Sequence, residues 1–582
     1  MRIKHFFGLA VLAAMTASCS SNNELVNGGN GSGEVENGTA YASFKINLPT
    51  TTGGTRADDP TPGTPSFEHG TAAEYEVKNG TILIFDKDGK FVESANLGTM
   101  NPWTNVKENG VTTAAIATVK LTKVSVSSTD KYKALVLLNN NTADNATKKV
   151  TLPTASTDTY ATWSKDVSKV NAANYAKTDG IFMANAPMYN GTTKEPTTLV
   201  DINGVYASPE EAQAKPATTI YVERGLAKVT MKDFTAGGYS IGAGTYDGAT
   251  VKIEKWQLDV TNNSTFPVHQ IGDLSSATTG FADIWKTDRF YDQTSTAFKR
   301  VYWGIDPNYS DNKYYAGDAT TSPKKTALDC CKEAFNMITN NQVNGAAGEA
   351  NPQYCLENTF NLDNMMQGQT TRVVFKAVFT PKGFTGTDKT FYKIGNNTDI
   401  WKEADLKTQI HTVAVTAMGI TDDAEQAKYV VKLDAADNNI SGKAGQHLVK
   451  KCNITYTGEA TSSLVTDDIV DKINEKLGLS DKVGISTYLN GEAYYIARIK
   501  HFNELTPWTA GKAYGTDNAT FLGRYGVLRN NWYELSVNKV SGLGYPDVPE
   551  VKPTLPDDEN DQYINVSVKI LDWAKRSQTV DL

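Results

Sequence analysis

Two short segments near opposite ends of the chain alternate apolar and polar residues with a period of two, and this pattern constrains the fold more than any other feature. Ala42, Phe44, Ile46 and Leu48 fall on one side of the segment from Ala40 to Leu48, and Tyr41, Ser43, Lys45 and Asn47 on the other. At the far end Ile564, Val566, Val568 and Ile570 alternate with Asn565, Ser567, Lys569 and Leu571. Successive side chains of a strand point to opposite faces, so each segment reads as a half-buried strand. Burying the four apolar side chains of the last segment contributes roughly 6–12 kcal/mol before ordering costs.

The same period recurs between the two ends. Thr81 to Phe85 and Phe91 to Glu93 flank Asp86-Lys87-Asp88-Gly89, a hairpin signal, and Asn490-Gly491 between Ile485 to Leu489 and Ala493 to Ile499 predicts another. Val111 to Val126, Lys133 to Leu138, Ile220 to Lys232, Val251 to Val260, Thr371 to Phe379, Gln409 to Ala417 and Tyr429 to Leu433 read as further strands. Two segments instead have helical spacing. Thr466 caps Ile469, Val470, Ile473 and Leu477, with Gly478 as the stop, and Pro323 opens a run with Ala327, Cys331, Ala334 or Phe335, and Ile338 on one face. The expectation is a mainly β protein with a few short helices.

Composition narrows the function. Gly and Pro, 46 and 20 of 582 residues, fall well short of low-complexity disorder, so the chain is globular. A net charge of −8 lacks the basic surplus that binding nucleic acid requires, which argues against that partner. Five Cys and six His are few for a metal or redox enzyme. Cys330, Cys331, Cys355 and Cys452 with His447 have no CxxC spacing for zinc; a disulfide to Cys355 or Cys452 and buried free thiols both remain open. Asp86 to Gly89 lacks the later ligands and closing Glu of a calcium loop. Gly238-Tyr239-Ser240-Ile241-Gly242 matches a nucleophile elbow, but a loop and then a strand follow where that motif needs a helix. No catalytic residue, cofactor or metal site is expected, and the chain does not read as an enzyme.

The ends carry the processing signals. A charged start at Arg2 and Lys4, an apolar run from Phe6 to Met15 and small residues before Cys19 form a secretory signal over 1–18. Cys19 resembles the acylated cysteine of a bacterial lipobox, with Thr16 where Leu is usual. A flexible Asn, Gly and Ser tether leads to the first strand, and Arg56 follows it within a Thr, Gly and Pro-rich stretch suited to proteolysis. Near the far end, Tyr545 to Pro556 holds four prolines, which predicts an extended strap long enough to carry the last strand away from the body; packing of that strand within its own domain is the alternative. An early strand that proteolysis removes and a last strand on a strap suggest assembly, because a sheet that loses a strand has unpaired backbone on both sides of an apolar groove.

Several segments resemble the fimbrillins of Bacteroidales, and in particular the Mfa1-like major fimbrial subunits. They are Ile84-Phe85-Asp86, Val222 to Val229 (VERGLAKV), Trp303 with Asp306-Pro307-Asn308-Tyr309, Tyr354 to Thr359 (YCLENT) and Tyr525 to Tyr533 (YGVLRNNWY). The resemblance implies two tandem transthyretin-like β-sandwich domains, here 57–218 and 219–582, after a lipidated propeptide over 19–56. It implies cleavage by an Arg-specific protease between Arg56 and Ala57, removal of the strand bearing Ala42, Phe44, Ile46 and Leu48, and donation of Ile564, Val566, Val568 and Ile570 to a neighbouring copy. The partners it implies are other copies, fimbrial tip and anchor subunits, the protease, and the outer membrane through the lipid before cleavage. The precursor would sit in the outer membrane and the mature protein in an extracellular fimbria that supports adhesion. A tip or accessory adhesin and a glycan-binding surface lipoprotein are the alternatives. The segment 417–480 does not align with the family pattern.

Overall fold

The computed structural model describes residues 39–49, 70–98, 104–108, 111–126, 131–142, 147–154, 157–175, 180–190, 195–271, 301, 303–441, 446–501, 523–557 and 564–572. They form two units. One takes the described chain up to Leu226 together with 265–304, and the other takes 227–264 and the chain from Ile305 onward. The fold is mainly β, as the alternation predicts, with sandwich-like sheets, and the chain returns once to the first unit at 265–304 before completing the second.

In the first unit the sheet runs in the order Phe91–Asn96, Gly80–Asp86, Tyr132–Leu138, Met183–Asn185, Thr218–Arg224, Ala40–Pro49, Val111–Leu121 and Thr104–Glu108. Side chains from both halves meet in one core, where Ile82, Ile84 and Val136 join Phe44, Ile46, Val119 and Ile220. Glu93, from one end strand, accepts the backbone N–H groups of Thr122 and Lys123, just beyond a strand of the other half. The expected Asp-Gly hairpin forms, and its first acid holds the turn closed. Asp86 Oδ1 accepts from Asp88 N and Lys90 N, while Gly89 takes φ +80°.

The second unit has two four-stranded sheets. One is ordered Gln353–Cys355, Ala227–Met231, Asn531–Val540 and Ile564–Asp572; the other Tyr239–Ser240, Thr250–Asp259, Arg372–Thr380 and Glu492–Arg498. Val229, Tyr533 and Leu535 from the first sheet and Trp256, Phe375 and Tyr495 from the second share one core, so the two sheets form a sandwich.

Several sequence expectations are corrected. Ile220 to Lys232 is not one strand: Thr218–Arg224 lies in the first unit and Ala227–Met231 in the second. The break falls at Gly225, where a Cβ would press on the Tyr175 and Phe182 rings. Gln409 to Ala417 is not a strand but part of the helix Glu403–Met418. Its β-branched residues mimic a strand, yet Leu406, Ile410 and Ala414 form a buried stripe at spacings of four, and Thr408, Thr412 and Thr416 each bond the carbonyl four residues back. Asn490-Gly491 makes the expected left-handed turn, φ 52° and 77°, but joins no hairpin. Ile485–Tyr488 pairs with Phe391–Ile394 and Gln446–His447, whereas Glu492–Arg498 pairs with Arg372–Thr380. The helix expected from Pro323 begins at Ala327, because Thr326 and Asp329 form its capping box.

The sandwich strands Arg372–Thr380 and Glu492–Arg498 are adjacent and antiparallel, yet about a hundred residues connect them. That connection builds its own core, in which Leu406, Ile410 and Ala414 of one helix and Ile473 of the helix Asp467–Lys476 pack on Tyr392, Val431 and Ile485. The cap predicted at Thr466 is present, accepting from Ile469 N. Here lies most of the segment that fits no family pattern. Among the described residues no helix is long and apolar enough to cross a membrane.

Candidate functional site

The first strand lies inside its sheet. Ala40–Pro49 pairs antiparallel with Val111–Leu121, from Ala40↔Leu121 to Pro49↔Val111, and on its other edge runs parallel to Thr218–Arg224, from Phe44↔Thr218 to Asn47↔Tyr221. Ala42, Phe44 and Ile46 are wholly buried and Leu48 nearly so. The opposite face is more covered than a half-buried strand predicts: Ser43 and Asn47 are buried, and Ser43 Oγ lies 2.9 Å from Thr118 Oγ1. The helix Pro209–Ala214 packs against the strand, and along its edge Tyr41 exchanges both backbone hydrogen bonds with Tyr206.

Withdrawing this strand would unpair the facing edges of two strands and open a slot lined by Val119, Leu121, Ile220 and Val222. Refilling it with three large apolar side chains is worth roughly 5–9 kcal/mol. The two strands that flank it, Val111–Leu121 and Thr218–Arg224, come from later parts of the unit.

The last strand sits differently. Among the described residues Ile564–Asp572 occupies the outer position of its sheet and pairs with Asn531–Val540 alone. The register sets Ile564, Val566, Val568 and Ile570 opposite Val540, Val537, Leu535 and Tyr533, and Val540, Leu535 and Tyr533 are buried in the sandwich core. In this structure both strands are therefore held within the one chain. Cys19, Arg56 and Ala57 lie outside the described residues.

Just past the end of Gln353–Cys355 and just before the start of Asn531–Val540, three of the segments singled out in the sequence converge in a buried polar knot. Asp306 accepts from Asn308 N at 2.7 Å and from Thr359 N at 2.6 Å. Asn358 exchanges both backbone bonds with Val527, and Arg529 Nε donates to Glu357 Oε2 at 3.2 Å. Asn262 completes the link, accepting from Asn308 Nδ2 and donating to the Glu357 carbonyl. Burial pushes the Asp306 carboxyl up to about 7, and the nearby Glu357 adds to the rise, against the N–H groups of Thr359 and Asn308 that oppose it. Sequence reasoning flagged these segments but not their meeting, which depends on side chains far apart in the chain. In the first unit the fourth segment does similar work: Glu223 Oε1 lies 2.6 Å from His269 Nδ1, and Arg224 Nε donates to the Glu74 carbonyl.

The elbow-like motif has no elbow geometry. Tyr239–Ser240 is a short strand on Thr250–Asp259, and Ser240 is exposed. Cys330, Cys331, Cys355 and Cys452 are free thiols. Cys330 is buried as well as Cys331, although the helical spacing sets it about a quarter turn away, and both belong to a cluster with Tyr314, Phe335 and Val551. Among the described residues no group of His, Cys, Asp and Glu is arranged to hold a metal.

Residues 486–579 match the family described as major fimbrial subunit protein type IV, fimbrillin, C-terminal. The match spans the sandwich strand Glu492–Arg498, the knot segment at 525–533 and the last strand. No curated protein matches the sequence. Among solved structures, a candidate cell adhesion protein from Parabacteroides distasonis is 11% identical over 92% of this chain and 100% of its own, with a TM-score of 0.34. The tip fimbrial protein Mfa3 from Porphyromonas gingivalis is 10% identical over 92% and 100%, with a TM-score of 0.28. A fimbrial assembly protein from Parabacteroides distasonis is 14% identical over 62% and 93%, with a TM-score of 0.24. Scores this low carry no inference about function.

Proposed function

We propose that the chain is a structural subunit of a cell-surface fimbria, a stalk protein that polymerises by exchanging strands. It is exported as a lipoprotein acylated at Cys19, held at the outer membrane by that lipid, and released when an Arg-specific protease cuts between Arg56 and Ala57. The cut detaches the strand of Ala42, Phe44, Ile46 and Leu48, and the strand of Ile564, Val566, Val568 and Ile570 from another copy fills the slot. Tip and anchor subunits of the same fimbria are the other partners, and its role in adhesion is structural rather than catalytic.

The observation that supports this most is the contrast between the two strands. The first is paired on both edges and buried, so its loss leaves a groove that another strand completes; the last, among the described residues, is paired on one edge. The fimbrillin match at 486–579 includes that last strand and adds support.

Two variants test the proposal in cells that make the fibre. Arg56→Ala should be exported and remain unpolymerised, because the uncut strand keeps its slot; normal fibres from it would remove the cleavage step. Val566→Asp with Val568→Asp should give folded monomers seen by electron microscopy without fibres, and fibres of wild-type length would remove the donor role.

A further inference from the structure

The segment from Tyr545 to Asp557, expected as a strap that swings free, is bound along the second unit for its whole described length. At its start Tyr545 exchanges both backbone bonds with Tyr494 at 2.7 Å. In the middle Asn340 Oδ1 accepts from Val548 N, and Arg372 Nη2 donates to the Pro549 carbonyl at 2.6 Å. Val551 is buried in a cluster with Tyr314, Cys331 and Phe335. At its end Gln367 N donates to the Leu555 carbonyl, Asp557 N donates to the Met365 carbonyl, and the wholly buried Asp557 accepts from Thr370 Oγ1. A proline-rich chain offers few N–H donors but every carbonyl, and here the strap's N–H groups at Tyr545, Val548 and Asp557 are all used while the body donates to the carbonyls of Tyr545, Pro549 and Leu555.

We propose that this strap is a fixed part of its own subunit, which stays bound along Tyr545 to Asp557 when the last strand is exchanged. The proposal rests on the strand-exchange reading and deepens it. Lifting the strap would uncover Val551 and its cluster and take away the carbonyl that Arg372 holds, whereas releasing the last strand breaks, among the described residues, one ladder. The consequence is geometric. Asp557 and Ile564 are seven residue steps apart, which at full extension spans at most about 25 Å. The accepting copy must therefore dock close to the Asp557 end of the donor, which fixes the spacing between subunits more tightly than a strap free from Tyr545 onward would.

Met366 and Pro556 face each other in an antiparallel bridge between the two hydrogen-bonded partners Gln367–Leu555 and Met365–Asp557. Opposed residues in such a position have Cα atoms about 4.5 Å apart, within disulfide range. Met366→Cys with Pro556→Cys in the full chain, with the new bond verified by peptide mass mapping, locks the strap down. The expected result is fibre formation that oxidation does not reduce. Loss of fibres on oxidation with recovery on reduction would overturn the proposal. A second measurement needs no substitution: in wild-type protein the amides of Gln367 and Asp557 should be protected from hydrogen exchange equally in monomer and fibre, and loss of that protection in the fibre would also overturn it. Failure of strand exchange itself shows elsewhere, as wild-type fibres from the Val566→Asp, Val568→Asp variant.

Discussion

Arg372 and Asp259 close on each other inside the second unit, with Nε and Nη2 of the arginine each 2.8 Å from Oδ2 of the aspartate. The other aspartate oxygen accepts from Val260 N and Ile338 N, and the arginine also holds the Pro549 carbonyl. The pair thus ties together two neighbouring sandwich strands, the loop at Ile338 and the strap. It also secures Val260 at φ +55°, a conformation that β-branched residues avoid.

Arg372→Met leaves the Asp259 carboxylate buried without its cation. The expected cost is about 3–5 kcal/mol, read as a lower urea midpoint for the second unit. A loss below about 1 kcal/mol would mean that the pair is not the fastener described here.

Asp306 sets a pH dependence. Its pKa in the folded protein is raised from 3.8 to about 7, so the folded state holds this proton more tightly than the unfolded chain. That contribution is fully present below the unfolded value and is lost as pH rises to about 7, by an amount of order 4 kcal/mol. Asp306→Asn removes the titration. The difference in unfolding free energy between wild type and this variant should therefore move against wild type between about pH 4 and pH 7 and stay flat above. Parallel profiles would show that Asp306 does not titrate as its burial implies.

The thiols divide by burial. Cys331 and Cys355 are pushed up to about 12 by loss of solvent, and Cys330 is also raised chiefly by burial, so none supplies thiolate at neutral pH. Cys452 is partly exposed. Among these four, alkylation of the native protein should mark Cys452 first and the others only after denaturation, with peptide mass mapping as the readout. Early labelling of Cys331 would indicate that the strap over it opens readily.

The inserted core should fail by itself. Ile410→Asp places a charge where Leu406, Ala414 and Ile473 meet, at a cost above about 3 kcal/mol. Hydrogen exchange should accelerate across Glu403–Met418 and Asp467–Lys476 while the amides of Arg372–Thr380 keep their protection. Equal loss in both would show that sandwich and insert unfold as one.

Alternation made the first and last strands legible because burial on one sheet face writes a period of two directly into the residues. Local chemistry did the same for the Asp86–Gly89 turn and the Thr466 cap, whose hydrogen bonds span only a few positions. The helix at Glu403–Met418 was misread because β-branched residues fit either period, and only the partners along Leu406, Ile410 and Ala414 select the helical one. At Asn490-Gly491 the residues dictated the turn, but the flanking strands pair with segments far back in the chain, and these lie in different sheets.

What the sequence determined by itself, then, is the set of strands, turns and caps whose physics is local. The tertiary structure alone decided that the first strand is enclosed on both edges while the last, among the described residues, is paired on one, that four sequence segments serve two buried polar sites, and that the proline-rich strap is bound down. Each of those depends on backbone and side-chain partners distant in sequence, and no period or motif along the chain records which partner a hydrogen bond will find.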